Sequence, residues 1–366
     1  MEDYTDYYPD YMYYYDSTDF GSLNVSQDCP TSHLQGSVIF LPIVYFLIFL
    51  TGFVGNLLVI LVLGCGRNRG DGRLVDTFVV NLALADLIFV LTLPLWAISS
   101  SQDHRWHFGP AGDLLCKLSS YIIAVNRLSN VFFLTCMSID RYLAVVKVMD
   151  SRFLRSSWCV RTTCAIVWLV SLVIGVPSLV YRSVESSNHG PSCVEDNQST
   201  FFLVISLTLA ILTFFFPLVI IVLAYGSIIL RLNQHCKAAG SSRVSARRRH
   251  SLKMVFCIVV AFIVSWLPFN IFKAIIVISQ LSEVDFECDV WQRDGLLIGC
   301  CLAFFNSCVN PAIYFFLDNH FRKRAGIFYN NCIGKTNLLQ VYNSSSTNAG
   351  TTDTSTVAGR NQVQAP

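Results

Sequence analysis

The sequence predicts an all-α membrane protein, a seven-transmembrane helix bundle with a short amphipathic eighth helix. Three observations carry this. Charged residues make up 14% of the 366-residue chain and apolar ones 53%, where a soluble domain carries roughly a quarter charged residues. Seven apolar stretches are long enough to cross a bilayer, which takes about 20 helical residues. They lie near 38–63, 74–100, 113–146, 159–181, 201–231, 250–280 and 291–317. These stretches are continuously apolar and do not alternate every second residue, so they read as helices and not as barrel strands.

Each part follows in order. Residues 1–37 form an acidic tail in which seven acids interleave with seven tyrosines. The bundle occupies 38–317. Pro177, Pro217, Pro268 and Pro311 lie inside four of its stretches. Neighbouring helices re-satisfy the carbonyls such prolines free, and kinks are expected there. Residues 318–332 read as an amphipathic helix on the membrane surface, with Phe321 toward lipid. Cys332 at its end is a candidate palmitoylation site. Residues 333–366 are polar and rich in Ser and Thr, the composition of a disordered tail.

Lys and Arg set the orientation. Arg67, Arg69 and Arg73 follow the first helix, Lys147, Arg152 and Arg155 the third, and Arg231, Lys237, Arg243 and Arg247 to Arg249 the fifth. The alternate loops hold only Arg105, Arg182 and Arg293. The first set is therefore cytoplasmic, and the N-terminus is outside. The chain opens without a basic start and early apolar run, so the first membrane helix is expected to direct insertion. A net charge of +2 gives no pull toward nucleic acid.

Polar side chains inside lipid are costly and ask for a reason. Asn56, Asp86, Asn126, Asn130, Asn306, Ser307 and Asn310 all fall near mid-helix. They serve either as interhelical hydrogen-bonding glue or as a hydrated polar core around Asp86 that holds a sodium ion and changes partners between states. Arg127 sits about four turns from Arg141 along the third helix. It either pairs with Asp86 or forms the floor of a ligand pocket near Trp266, where a guanidinium can grip a carboxylate in bidentate fashion.

Catalysis has no support. The His residues are scattered, no Cys/His or Ser/His/Asp arrangement has a useful spacing, and phosphate-binding Gly patterns are missing. A transporter would show paired, interrupted halves, and none is found. Most of the 14 Cys lie in apolar runs, where Cys packs as a small hydrophobe. Cys29, Cys116, Cys193 and Cys288 instead face the outside.

The motifs add a resemblance. Gly55-Asn56, "NLALAD" ending at Asp86, Asp140-Arg141-Tyr142, "SWLPF" with Trp266 and Pro268, and "NPAIY" from Asn310 to Tyr314 occur in order on successive helices. Together, over nearly the whole chain, they resemble the rhodopsin-like (class A) G-protein-coupled receptors. Thr92-Leu93-Pro94, "DRYLAVV" and the acidic tyrosine tail are similar to the chemokine and peptide-receptor branch. "RLVDTF", "LTLPLWA", "LCKLSS" and "PSLVYR" are most similar to orphan members of that branch.

The resemblance implies a plasma-membrane receptor for an extracellular peptide or chemokine-like protein. It implies coupling to a heterotrimeric G protein of the Gi type, with arrestin, receptor kinases and membrane lipid as further partners. A non-signalling scavenger is the alternative, against which the intact Asp140-Arg141-Tyr142 speaks. The resemblance also implies disulfides Cys116–Cys193 and Cys29–Cys288. It implies a switch of Asp140, Arg141, Tyr142, Tyr225, Pro268 and Tyr314, and a ligand pocket with Arg127, Trp96, Tyr121, Trp266 and Lys273. Asn24 and Asn197 head outer glycosylation sequons. Departures are informative. Ile123 stands where amine receptors carry Asp, Cys300 where many chemokine receptors carry Glu, and Arg248 where some members carry the acid that pairs with the Arg141 equivalent.

Overall fold

A computed structural model of the chain describes residues 36–66, 73–146, 156–187, 190–196, 199–238, 243–282 and 290–331. They belong to one compact unit, Ser32–Pro366. The apolar stretches become α1 (Ser37–Gly66), α2 (Leu74–Ser101), α3 (Gly112–Val145), α4 (Ser157–Val180), α5 (from Thr200 to Ala238), α6 (Arg243–Ser282) and α7 (Val290–Leu317). Each contains a span long and apolar enough to cross a membrane. An eighth helix, α8, covers 319–331.

Prolines shape two of these helices more than a simple kink would. α2 breaks at Leu91 and Thr92 before Pro94. Proline lacks the N–H and its ring crowds the carbonyl four residues back, here that of Val90. The Thr92 hydroxyl donates to the Phe89 carbonyl at 2.8 Å across the break. α5 widens into a π turn, Ile211–Phe215, just ahead of Pro217, which makes room at the Thr213 carbonyl that proline would otherwise strike. Pro177, Pro268 and Pro311 sit inside continuous helix.

The lipid-facing surface is apolar, as at Val54, Phe216 and Leu223. The interior packs Leu82, Val90, Phe133, Met137, Val255 and Ile258. A Cβ on Gly55 would come 2.9 Å from Pro311 Cβ, and one on Gly299 2.9 Å from the Phe269 backbone. α1 meets α7, and α7 meets α6, at a spacing that only glycine permits. Asn56 donates to the Ser307 carbonyl at 2.9 Å and Trp168 to Asn81 at 2.9 Å, which is the gluing role for intramembrane polar groups.

One element was not foreseen. The outer loop between α4 and α5 forms an antiparallel hairpin, β1 (Arg182–Ser187) with β2 (Gly190–Glu195). Its residues are mostly polar or small, so no two-residue apolar alternation marks it in the sequence. Gly190 takes the positive φ of 108° that begins β2.

The placement of Phe321 corrects an expectation. It is 2% exposed and its ring lies 6.4 Å from that of Tyr314. The chain turns at Asp318, so the first turn of α8 tucks beneath α7 and leaves Ile327 and Tyr329 outward. Charges hold this turn. Arg73 pairs with Asp76 at 2.9 Å and with Asp318 at 2.5 Å, and Arg324 reaches Asp76 at 3.3 Å. Asp318 also caps α8 by accepting the His320 N–H at 2.9 Å. Burial alone would push the Asp318 carboxyl up, but the hydrogen bond and charge of Arg73 hold it below the ordinary carboxylate range. Asp318→Asn is expected to lower stability by about 1–2 kcal/mol at neutral pH. A carboxyl with a depressed folded pKa stabilises above its unfolded value and loses that stabilisation as pH falls through the folded one. The wild-type advantage should therefore persist down to about pH 4 and fade below it. Equal melting temperatures for the two proteins at pH 7 would remove the clamp.

Candidate functional site

A cavity of about 310 Å³ opens between the outer halves of the helices, within the usual range for a ligand pocket, about 300–1,000 Å³. On α3, Ile123, Ala124, Arg127 and Leu128 reach it, because side chains three and four apart share a helix face. Trp266, Phe269 and Lys273 repeat that spacing on α6. Trp96 follows the α2 break and also lines the wall.

The hairpin is fastened over α3. Cys116 and Cys193 are joined, with Cα atoms 5.7 Å apart. Asp113 accepts the Val184 N–H at 3.1 Å. Trp106 donates its backbone N–H to Pro191 at 2.7 Å and its indole N–H to Gly112 at 2.7 Å. Cys29, Cys288, Asn24, Asn197 and Cys332 lie outside the described residues.

The cavity's charges are unequal. Among the described residues, Arg127, Arg182 and Lys273 face one carboxylate, Glu195. Lys273 Nζ donates to Glu195 Oε2 at 2.7 Å, and Arg182 reaches the same oxygen at 3.6 Å. Burial would raise the Glu195 carboxyl, but Lys273, then Arg182, then Arg127 hold it below the usual range. Arg127 lies with its guanidinium carbon 5.9 Å from the Phe269 ring centre. No hydrogen bond or ion pair joins it to another described residue.

The candidate partner for Arg127 in the core, Asp86, is otherwise engaged. Its Oδ1 accepts from Asn126 at 3.0 Å and Asn130 at 2.9 Å, and its Oδ2 from Asn310 at 3.0 Å. The ion pair Asp86–Arg127 is not formed. Asn130 Oδ1 and Asn310 Oδ1 are buried with no hydrogen-bond partner among the described residues. Ser307 is buried beside them.

Tyr121 does not line the cavity. Its hydroxyl donates to the Leu172 carbonyl at 3.0 Å and its ring meets the Gly175 site on α4. It lies on the part of α3 that packs on α4. Among the pocket residues that escaped the sequence reading are the charged pair Arg182 and Glu195. The only available signal was their closeness to Cys193 and the start of the loop, and the hairpin register that pairs Arg182 with Glu195 was invisible.

At the inner end, Arg141 pairs with Asp140 at 3.3 Å. Tyr142 is the next residue on α3. Tyr225 on α5 is buried close enough to feel the Arg141 charge. Tyr314 is buried, with no hydrogen-bond partner for its hydroxyl among the described residues. Pro268 lies inside α6, two residues after Trp266. Among the described residues no group of three or more His, Cys, Asp or Glu could hold a metal ion.

Comparison with known proteins agrees with this geometry. Residues 55–314 match the model of the 7 transmembrane receptor (rhodopsin family). The chain is 40% identical over 293 residues to G-protein coupled receptor 15 of Mus musculus, covering 80% of this chain and 79% of that one. It is 38% identical over 315 residues to the Probable G-protein coupled receptor 25 of the same species, with 85% and 84% covered. It is 36% identical over 314 residues to the Type-1 angiotensin II receptor of Bos taurus, with 84% and 85% covered.

Proposed function

This chain belongs to the rhodopsin family of seven-transmembrane receptors, and on that premise we propose that its ligand is an extracellular peptide or chemokine-like protein gripped through a carboxylate by Arg127. As a member of the family it is a multi-pass plasma-membrane receptor that signals through a G protein. The observation that carries the finer reading is Arg127 itself. An intramembrane guanidinium is expensive and ordinarily has a named partner. Here it opens into the cavity without an ion pair among the described residues, and Asp86 is taken by three amides.

An acidic side chain or a free C-terminus reaching between the helices would supply that partner. The basic body of the same ligand would meet the acidic, tyrosine-rich tail, which attracts cations over about a Debye length. Relatives that include an angiotensin II receptor fit a peptide ligand. Trp96, Trp266 and Lys273 complete the contact surface. We extend the proposal to a Gi-type G protein, to receptor kinases and arrestin at the Ser- and Thr-rich tail, and to anionic lipid at Arg247 to Arg249.

A sodium ion fits the core. Sodium is a hard cation that takes oxygen ligands, by the same logic as calcium and magnesium. Asp86 with Asn130 Oδ1, Asn310 Oδ1 and Ser307 offers an all-oxygen set that includes two buried oxygens without partners. Bound there, the ion would neutralise the Asp86 carboxylate.

The test is a screen of basic secreted peptides and chemokines for G-protein activation in cells, followed by a comparison on the hit. Arg127→Gln should weaken the free-acid ligand by about 2 kcal/mol or more, roughly 30-fold, and barely affect its C-terminally amidated form. Equal losses for acid and amide would reject the carboxylate grip.

A further inference from the structure

Glu195 has a second meaning once the charges of the cavity are counted together. Among the described residues it is the one carboxylate on a wall that also carries Arg127, Arg182 and Lys273. As a hairpin residue its partner would be Arg182, which lies opposite it across the two strands. Cross-strand pairs of opposite charge are a common stabiliser of such ladders. Yet the shorter contact goes elsewhere. Glu195 Oε2 is 2.7 Å from Lys273 Nζ and 3.6 Å from the nearest Arg182 nitrogen. Lys273 belongs to α6, far from the hairpin in sequence, and sits about two turns outward of Trp266 on the same helix. The contact therefore ties the outer loop to α6 across the mouth of the cavity in which Arg127 waits.

We propose that Glu195 is a tethered competitor for the ligand's carboxylate: it holds Lys273 until an incoming carboxylate, seated between Lys273 and Arg127, takes its place and leaves Glu195 with Arg182 alone. This rests on the carboxylate reading of the pocket and deepens it. Two states of one cation are needed, and both have partners: Lys273 on Glu195 before binding and on the ligand after it. Arg182 is already within 3.6 Å of Glu195, so releasing Lys273 leaves no carboxylate stranded. Leaving a buried charge unpaired is the costly outcome, and the pre-placed Arg182 avoids it. Selectivity follows as well. A ligand end without a negative charge gains nothing from displacing Glu195, whereas a carboxylate gains two cations at once. The device therefore filters for free acids.

The magnitude follows from occupancy. A ligand that needs a state populated a fraction f of the time binds with an apparent Kd larger by 1/f. Occupation of Lys273 by Glu195 for about nine tenths of the time weakens acid binding about tenfold.

The probes are N-acetylphenylalanine and N-acetylphenylalanine amide, which share an aromatic body suited to the Trp266 and Phe269 walls and differ in the carboxylate. Binding is read by thermal shift of the purified full-length receptor. Wild type should prefer the acid. Glu195→Gln should bind the acid about tenfold more tightly than wild type and the amide equally. An acid preference in wild type with no further gain in Glu195→Gln, or a gain shared equally by the amide, overturns the competitor while sparing the carboxylate reading. Equal or undetectable binding of both probes to both proteins overturns the reading and the competitor with it. If Glu195→Gln fails to reach the surface, the comparison moves to Lys273→Met with and without Glu195→Gln, where the charges are removed in pairs. Without Lys273, Glu195 has nothing to withhold, so removing it there should leave acid binding unchanged; a gain of about tenfold would be plain charge repulsion by Glu195 and would overturn the competitor.

Discussion

Replacing Cys116 or Cys193 by Ala is expected to abolish surface expression or ligand binding. The disulfide closes a loop of 77 residues in sequence separation. Removing such a crosslink typically costs about 2–5 kcal/mol. Native proteins hold only about 5–15 kcal/mol in all, so the loss is a large share of the total. The structure adds a functional consequence. Glu195 is two residues beyond Cys193, and β2 hangs on α3 through that bond. Without it the hairpin's fastening rests on such contacts as the Asp113 hydrogen bond on α3 and the Trp106 hydrogen bond in the segment before it, and the wall that carries Arg182 and Glu195 loses its fixed place. Surface staining and the melting temperature of purified receptor read the first effect, and ligand affinity reads the second. Single mutants with normal binding and unchanged melting temperature would show that the bond is dispensable.

Arg141→Ala should leave ligand binding largely intact and reduce G-protein activation by about 100-fold, the upper end of ordinary allosteric coupling. Arg141 sits at the cytoplasmic end of α3, four turns from Arg127 by helix geometry, so it touches no part of the outer cavity. Its ion pair is with the adjacent Asp140 at 3.3 Å. Position 248, on the basic stretch at the inner end of α6, is Arg and offers no carboxylate to hold it. The resting state of Arg141 thus depends on Asp140 and on neighbours such as Tyr225, contacts that a G protein can replace at modest cost. The measurement is nucleotide exchange on the G protein alongside ligand affinity, in receptors matched for surface level. Full exchange by the Ala variant would show that activation does not run through this residue. Loss of ligand affinity in parallel with exchange would point instead to a misfolded bundle.

Cys116, Cys193 and Arg141 illustrate how far the chain reveals itself without its fold. The seven spans were legible because lipid imposes a length and an apolar composition on any helix that crosses it. The orientation was legible because Lys and Arg concentrate on one side. The place of Arg141, Asp86, Trp266 and Pro268 followed from short motifs on identified helices, and the pairing of Cys116 with Cys193 from the family resemblance those motifs carry. All of these depend on local sequence or on one-dimensional order along the chain.

What the sequence left open turned on neighbours across space. Arg127 and Asp86 are both intramembrane charges, and their pairing was an even alternative until the amides of Asn126, Asn130 and Asn310 were seen to occupy the carboxylate. The helical period says which residues share a face, but not which helix that face meets. Tyr121 therefore turned to α4 and not to the cavity, and Phe321 tucked beneath α7 and not toward lipid. The hairpin left no apolar pattern because it is built over water on polar residues, so the meeting of Glu195 with Lys273 had no trace in either segment. Composition and periodicity determined that this chain crosses the membrane seven times and which way it faces. Only tertiary packing decided which buried charges pair, because a charge in a low-dielectric interior is settled by whichever donors and acceptors stand within a few ångströms, and those are brought there by the fold.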